Sequence, residues 1–239
     1  MRCSMRKVYI ISDIAVCFNF KQKAMIERSK SFESKIHSKT IPELYIQEDV
    51  IHMKEKYYHL DIAQCEVILS AQKFFEYALL FDHILLHGTV LKIKSKCIMV
   101  LAPADGGKST HLRLWKKFMK NKVSVISEDR PVLGKKDGVM GVWNSPWCKE
   151  TDVENTEFNR LDLIILLKKS RENKIICGNL DDVISFVLEY LPTEVNKKSL
   201  SNLLYELLYG LDVWHLKNNA EIQCIKLLYD KLFGDSNVV

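Results

Sequence analysis

The sequence contains no run approaching the roughly 20 consecutive apolar residues that a helix needs to cross a bilayer. Met1 to Lys7 lead straight into a strand-like stretch with no small-residue cleavage site, so a cytoplasmic location with no membrane partner is expected. Also missing is any Cys-x-x-Cys pair. Seven cysteines, an odd number spread from Cys3 to Cys224, argue against a disulfide scaffold and a zinc knuckle and for reduced thiols. Nor is there a strong charge of one sign. Formal charge is +5, and Lys92, Lys94 and Lys96 alternate along one wet face without interleaved aromatics, so a nucleic-acid partner is disfavoured.

What remains is an ordinary globular composition, 47% hydrophobic and 27% charged over 239 residues, enough for one large or two small domains. Val8 to Phe18 is rich in β-branched and aromatic residues and is broken at Ser12-Asp13, which predicts a bent strand or hairpin. Between Lys21 and His59 the pattern is mixed; a helix and one or two strands are expected, with short apolar pieces such as Ile41 to Ile46. From Leu60 to Leu80, apolar residues at spacings of three and four predict a helix. Ile84 to Leu86, Val90 to Lys94 and Cys97 to Leu101 read as strands, with His87-Gly88 a turn or bulge and the last strand apolar enough to be central. A helix follows from Ser109 to about Lys120. Strands are expected at 123–126, 131–133, 139–142, 161–167 and 213–216, and helices at 180–191, 200–208 and 221–232. The mixture is α/β with several hairpins.

Chemistry concentrates between Ala102 and Asp129. Ala102-Pro103-Ala104-Asp105-Gly106-Gly107-Lys108-Ser109 follows an apolar strand and opens a helix, as a phosphate-binding loop does. Such a loop needs backbone N–H groups at a helix N-terminus, a lysine that reaches β and γ oxygens, and a hydroxyl for Mg²⁺. Gly106 and Gly107, Lys108 and Ser109 supply these in order, and Asp105 and Thr110 flank them. Ala102 stands where such motifs begin with glycine, and Asp105 where related loops often have another; Asp tolerates a left-handed conformation, with Gly106 expected to absorb remaining strain. The next strand ends at Glu128-Asp129, two carboxylates able to divide metal and acceptor duties. His87 is either a proton-handling residue or a turn histidine bonded to backbone, and His83 a structural neighbour. Trp147 either covers a ligand or plugs the core. Lys149 and Arg160 are candidate phosphate partners, and Arg130 is a candidate neutraliser of the acidic pair.

The order His87-Gly88, hairpin, loop 102–109 and Glu128-Asp129 resembles the HPr kinase/phosphorylase family and its phosphoenolpyruvate-carboxykinase-like relatives. The similarity covers roughly Ile84 to Leu167 and looks closest to the small stand-alone kinases of bacterial peptide natural-product clusters. It implies a P-loop kinase core of that type over 83–239, with an N-terminal α/β region, 1–82, packed on it. It further implies ATP and Mg²⁺ as cofactors, with His87, Lys108, Glu128 and Asp129 catalytic. Asp105, Gly106, Gly107, Lys108, Ser109 and Thr110 would hold the nucleotide, and Ser109 and Asp129 the metal. Glu128 replaces the first of two aspartates usual in that motif, so base and metal partner stay open; Glu128 is the first choice as base and Asp129 as metal organiser. Ser145-Pro146-Trp147 resembles the Pro-Trp element of the smaller members, with Cys148-Lys149 where those carry a nearby glycine.

The implied activity is transfer of the γ-phosphoryl group of ATP to a hydroxyl, foremost a serine of a peptide or precursor peptide. A kinase for a small metabolite such as free serine and a non-catalytic nucleotide-binding partner are the alternatives. Related full-size enzymes form oligomers, so a homo-oligomer is an open assembly state.

Overall fold

A computed structural model describes residues 7–36, 38, 40–120, 122–148, 156–190 and 196–234. Strands β1 (Lys7–Ile11) and β2 (Ile14–Phe18) form the expected hairpin, in register Ile11↔Ile14. Its turn residues Ser12 and Asp13 both have positive φ, 49° and 62°. Two such residues give a loop whose twist matches that of the strands. The two-residue β3 (Glu33–Ser34) completes a small sheet beyond α1 (Lys23–Arg28). The apolar piece 41–46 contributes an isolated bridge from Glu43 to Cys17 and leads into α2 (Gln47–Lys56). The helix expected over 60–80 is α3 (Ile62–Ala78), begun by a capping box between Asp61 and Gln64. Glu66, buried on α3, accepts the Lys21 and Gln22 N–H groups at 2.7 and 2.9 Å and so fastens the entry to α1. Burial pushes its pKa up, against the pull of those two amide bonds.

The second half is built on β4 (Ile84–Leu85), β5 (Gly88–Ile93), β6 (Lys96–Leu101), α4 (Lys108–Phe118) and β7 (Val123–Asp129). It continues with β8 (Val132–Lys136), β9 (Val139–Trp143), β10 (Asn159–Arg160), β11 (Leu163–Lys169) and β12 (Lys174–Cys177). Helices α5 (Leu180–Glu189) and α6 (Lys197–Leu208), strand β13 (Asp212–Asn218) and helix α7 (Ile222–Phe233) close the chain. The six-stranded sheet has the order β12-β13-β11-β6-β5-β7, with β6, β11 and β13 parallel and the other pairs antiparallel.

Both faces of its centre are covered, which explains the unbroken apolar runs of β6 and β11. Ile98, Val100, Ile165 and Leu167 pack with Leu112 and Trp115 of α4 and Ile225 and Leu228 of α7. Met99, Leu101, Ile164 and Leu166 face Val183 and Val187 of α5 and Leu204 and Leu208 of α6. The period-two alternation of a strand splits each run between two helix layers, a three-layer α/β arrangement. Among the described residues no helix is long and apolar enough to cross a membrane.

His87-Gly88 is a change of sheet instead of a turn. β4 pairs with β8 in a four-stranded sheet of order β10-β9-β8-β4, while β5 pairs with β7 in the six-stranded one. The two strand pairs therefore run as one ribbon that bends between Leu86-His87 and Arg130-Pro131, held there by the Leu86 N–H bond to Pro131 O at 3.0 Å. A Cβ at Gly88 would lie 2.9 Å from Leu101 Cδ2, so a larger residue at the bend would have to displace that buried side chain. Trp147 is a core plug and not a ligand cover. It is 1% exposed, packs on Phe18 and Phe74, and donates Nε1–H to Ser70 Oγ at 2.8 Å.

His111, in the second turn of α4, is buried with neither ring nitrogen bonded to a described group. Burial lowers its pKa from 6.5 to about 4, so the folded protein keeps it neutral where the unfolded chain would protonate it. Its contribution is intact above pH 6.5 and is lost as pH falls toward 4, by about 3 kcal/mol across that window. Urea unfolding at stepped pH values should show His111→Leu losing less stability than the parent on acidification. Parallel pH curves would remove His111 as the cause.

Candidate active site

Three segments meet at the C-terminal edge of the central strands, where a parallel α/β sheet opens its crevice. The first is the loop from β6 to α4. Ala102 is buried, and Gly106 N–H closes a turn on Pro103 O at 2.9 Å. Asp105 takes a left-handed conformation (φ 57°) and Gly107 another (φ 102°). The left-handed strain therefore falls on Asp105 and Gly107, while Gly106 serves a different need. A Cβ on Gly106 would sit 2.7 Å from the Ala102 Cβ and 2.9 Å from Pro103 O, so the turn closes only over glycine. Lys108 folds back over the loop, its Nζ donating to Ala102 O at 2.6 Å and Pro103 O at 3.1 Å. The first N–H groups of α4 lack intrahelical acceptors and point out of the helix end.

The second segment is the end of β7. Register pairs Thr89 with Glu128 and Gly88 with Asp129, at the mouth of the same cavity. Ser109 Oγ donates to Glu128 Oε1 at 3.2 Å. Asp129 Oδ1 lies 2.9 Å from His87 Nε2. Asp129 has φ 104°, a conformation that L residues rarely adopt, at the point where the ribbon changes sheets. The third segment is the end of β11, which places Lys169 beside Gly107, its Cε about 4.0 Å from where a Cβ would stand.

Together His87, Thr89, loop residues 104–110, Glu128, Asp129 and Lys169 wall one open cavity of about 500 Å³. Asp105, Gly106, Gly107, Lys108, Ser109, Thr110, His87, Glu128 and Asp129 are thus brought together. Thr89 and Lys169 were missed by sequence reasoning. The signal for Lys169 lay in two lysines ending an apolar strand; that this strand runs parallel to β6 was not legible. Other candidates fall elsewhere. Arg160 is exposed on the edge strand β10, Lys149 lies outside the described residues, and Arg130 faces a neighbouring cleft. His83 is structural, with Nδ1 at 2.6 Å from Phe81 O and its ring over Gly134 and Trp143.

Among the described residues no group of three or more His, Cys, Asp or Glu side chains could hold a metal by itself. A metal arriving with phosphate oxygens needs fewer protein ligands, and Mg²⁺ usually takes one or two and keeps water for the rest. The Ser109 hydroxyl and Glu128 carboxylate, already in contact, fit that requirement.

No protein-family model matches the chain, and no curated protein does. Among solved structures, the HPr(Ser) kinase/phosphatase from Coxiella burnetii shows a weak, remote similarity, 11% identity with a TM-score of 0.36, over 63% of this chain and 93% of that one.

The two loop glycines should respond differently to a methyl group. Gly107→Ala meets its first side-chain atom only at 3.8 Å and bears mainly its φ, a cost of about 1 kcal/mol. Gly106→Ala must open the turn, so it should lower the thermal midpoint far more than Gly107→Ala. Equal losses would contradict this account of the loop. At Asp129 the strained φ opposes the bond to His87: Asp129→Gly should have a higher thermal midpoint than Asp129→Ala, a stability difference of about 1 kcal/mol. A lower midpoint for the glycine variant would show that the backbone there carries no strain.

Proposed function

We propose that the chain is an ATP- and Mg²⁺-dependent kinase that transfers a γ-phosphoryl group to a hydroxyl, foremost a serine of a peptide. The observation that carries this reading is the shared cavity, in which a lysine, a hydroxyl and a helix N-terminus face two carboxylates and a histidine. Those are the parts phosphoryl transfer needs: cations and N–H groups where charge spreads over the equatorial oxygens, and a carboxylate where the acceptor proton must go. In this reading the kinase core spans 83–239 and the N-terminal region 1–82 packs on it.

Lys108 leaves the carbonyls of Ala102 and Pro103 for the β and γ oxygens, exchanging neutral acceptors for charged ones. Lys169 lines the same cavity beside Gly107 and adds positive charge there. Ser109 and Glu128 would hold Mg²⁺, which supplies charge neutralisation between the phosphates when bound. Asp129, oriented by His87, accepts the proton of the attacking hydroxyl. The acceptor oxygen forms its bond to the γ-phosphorus as the bond to the β-bridging oxygen breaks, and ADP departs with that electron pair. This division reverses the preference read from sequence, which made Glu128 the base and Asp129 the metal organiser. The hydrogen bonds favour the exchange, since Glu128 touches the metal-directed hydroxyl and Asp129 the proton-handling histidine. The departures at Ala102 and Asp105 are compatible with turnover, because Ala102 packs under Gly106 and Asp105 supplies a left-handed residue.

Lys108→Ala should weaken Mg²⁺-ATP binding in calorimetric titration while leaving the thermal midpoint nearly unchanged. Asp129→Asn should keep nucleotide affinity and lower single-turnover transfer by about 10²- to 10⁴-fold. Glu128→Gln and Ser109→Ala should instead shift the magnesium concentration giving half-maximal rate, and His87→Ala should slow transfer less than Asp129→Asn. Unchanged nucleotide affinity and unchanged turnover in Lys108→Ala would reject the phosphate-loop role. A normal magnesium response in Glu128→Gln, with a shifted one in Asp129→Asn, would restore the division read from sequence.

A further inference from the structure

His87 lines a second cleft, on the other side of the ribbon bend from the phosphate-facing cavity. This cleft, about 560 Å³, is walled by α3 through Ile68, Ala71 and Phe75, and by Leu85 and Leu86 at the end of β4. Tyr190, at the end of α5, closes it together with Glu189. A smaller apolar recess between Leu86, Ala102, Ala104 and Tyr190 joins the two regions at His87. The polar groups of the cleft are Gln72, His87, Arg130, Glu189 and the Tyr190 hydroxyl. Arg130 is half-buried, forms no ion pair with any described residue, and does not line the phosphate-facing cavity although Glu128 and Asp129 beside it do. The bend explains this division. Asp129 is the last residue of β7, and Arg130, one residue on at the change of sheets, faces the other side.

Among the described residues no carboxylate pairs with the half-buried Arg130 guanidinium, and an incoming anion would add a charge-assisted partner there. A phosphate of the nucleotide is the wrong anion, because in the kinase reading phosphates would sit among the residues of the other cavity. The anion must therefore arrive with the acceptor. The apolar walls, several side chains long, exceed what a free amino acid would cover and suit a peptide segment whose side chains lie along α3.

We propose that this cleft binds the acceptor as an extended peptide, with an apolar side chain against Phe75 and Tyr190 and an acidic side chain on Arg130. The serine hydroxyl is thereby delivered past His87 to Asp129. Arg130 is thus a specificity-determining residue that never touches the nucleotide. The proposal rests on the kinase reading and adds to it the class and sequence character of the acceptor.

The test uses the full chain, Mg²⁺-ATP and a degenerate peptide library with a fixed central serine and mixed flanking residues, with free serine as a separate acceptor. Nucleotide affinity is measured by calorimetry on the same preparations. The parent should select apolar residues at one flanking position and Asp or Glu over Asn or Gln at another, by about tenfold. Arg130→Gln should erase the acidic selection while keeping the apolar one, and Arg130→Glu should turn it toward Lys or Arg. Phosphorylation of the library without acidic selection, or an acidic selection that survives in Arg130→Gln, overturns the role of Arg130. Phosphorylation of free serine alone, or of no acceptor while Mg²⁺-ATP still binds, overturns the peptide cleft. Loss of Mg²⁺-ATP binding by the parent protein itself would instead remove the kinase reading beneath it.

Discussion

The bend in the two-stranded ribbon is the constraint on which the rest depends. β5 and β7 belong to the six-stranded sheet and their continuations β4 and β8 to the four-stranded one, so the hydrogen-bonded pair must change direction within a few residues. The sharpest demand falls on Asp129, whose φ of 104° opposes the ordinary preference of an L residue, and on Gly88, where a side chain would crowd Leu101. What the bend provides is divergence. His87, Glu128, Asp129 and Arg130, close in sequence or in register, face two different cavities because the chain turns beneath them.

The sheet and its helices make that bend tolerable. β6 and β11, buried on both faces, fix the strand ends from which the 102–109 loop and Lys169 emerge. On one face α4 and α7 hold the loop from behind through Leu112, Trp115 and Leu228. On the other, α3 is secured to the 144–148 segment by Trp147 and Ser70. Ser145 Oγ in turn donates to the carbonyl of Arg130, so the segment braces the bend. Trp147 thus acts on the site from within the core, through the position of the ribbon, and not as a cover over a ligand.

Two buried groups show what this packing costs. Glu66 is a carboxylate inside the N-terminal part, made tolerable by two backbone N–H donors. His111, in the helix that follows the loop, has no such partner among the described residues and stays neutral because protonation inside the core would be unfavourable.

By itself the sequence determined the elements whose signals are local. The helix at 62–78, the hairpin at Ser12-Asp13, the apolar strands 96–101 and 163–169, and the loop with its Gly106-Gly107-Lys108-Ser109 order were all legible. Each depends on spacing within about one element, which periodicity and turn chemistry encode directly. The boundaries between Lys21 and His59 were not legible, because β3 is two residues long and the bridge at Glu43 needs no apolar pattern of its own. Only the tertiary structure decided which groups face each other. That Glu128 meets Ser109 and Asp129 meets His87, that Lys169 stands beside Gly107, and that Arg130 turns away from its acidic neighbours all follow from register and sheet order. Those are long-range pairings between β5, β7, β6 and β11, and no local preference of the residues concerned fixes them.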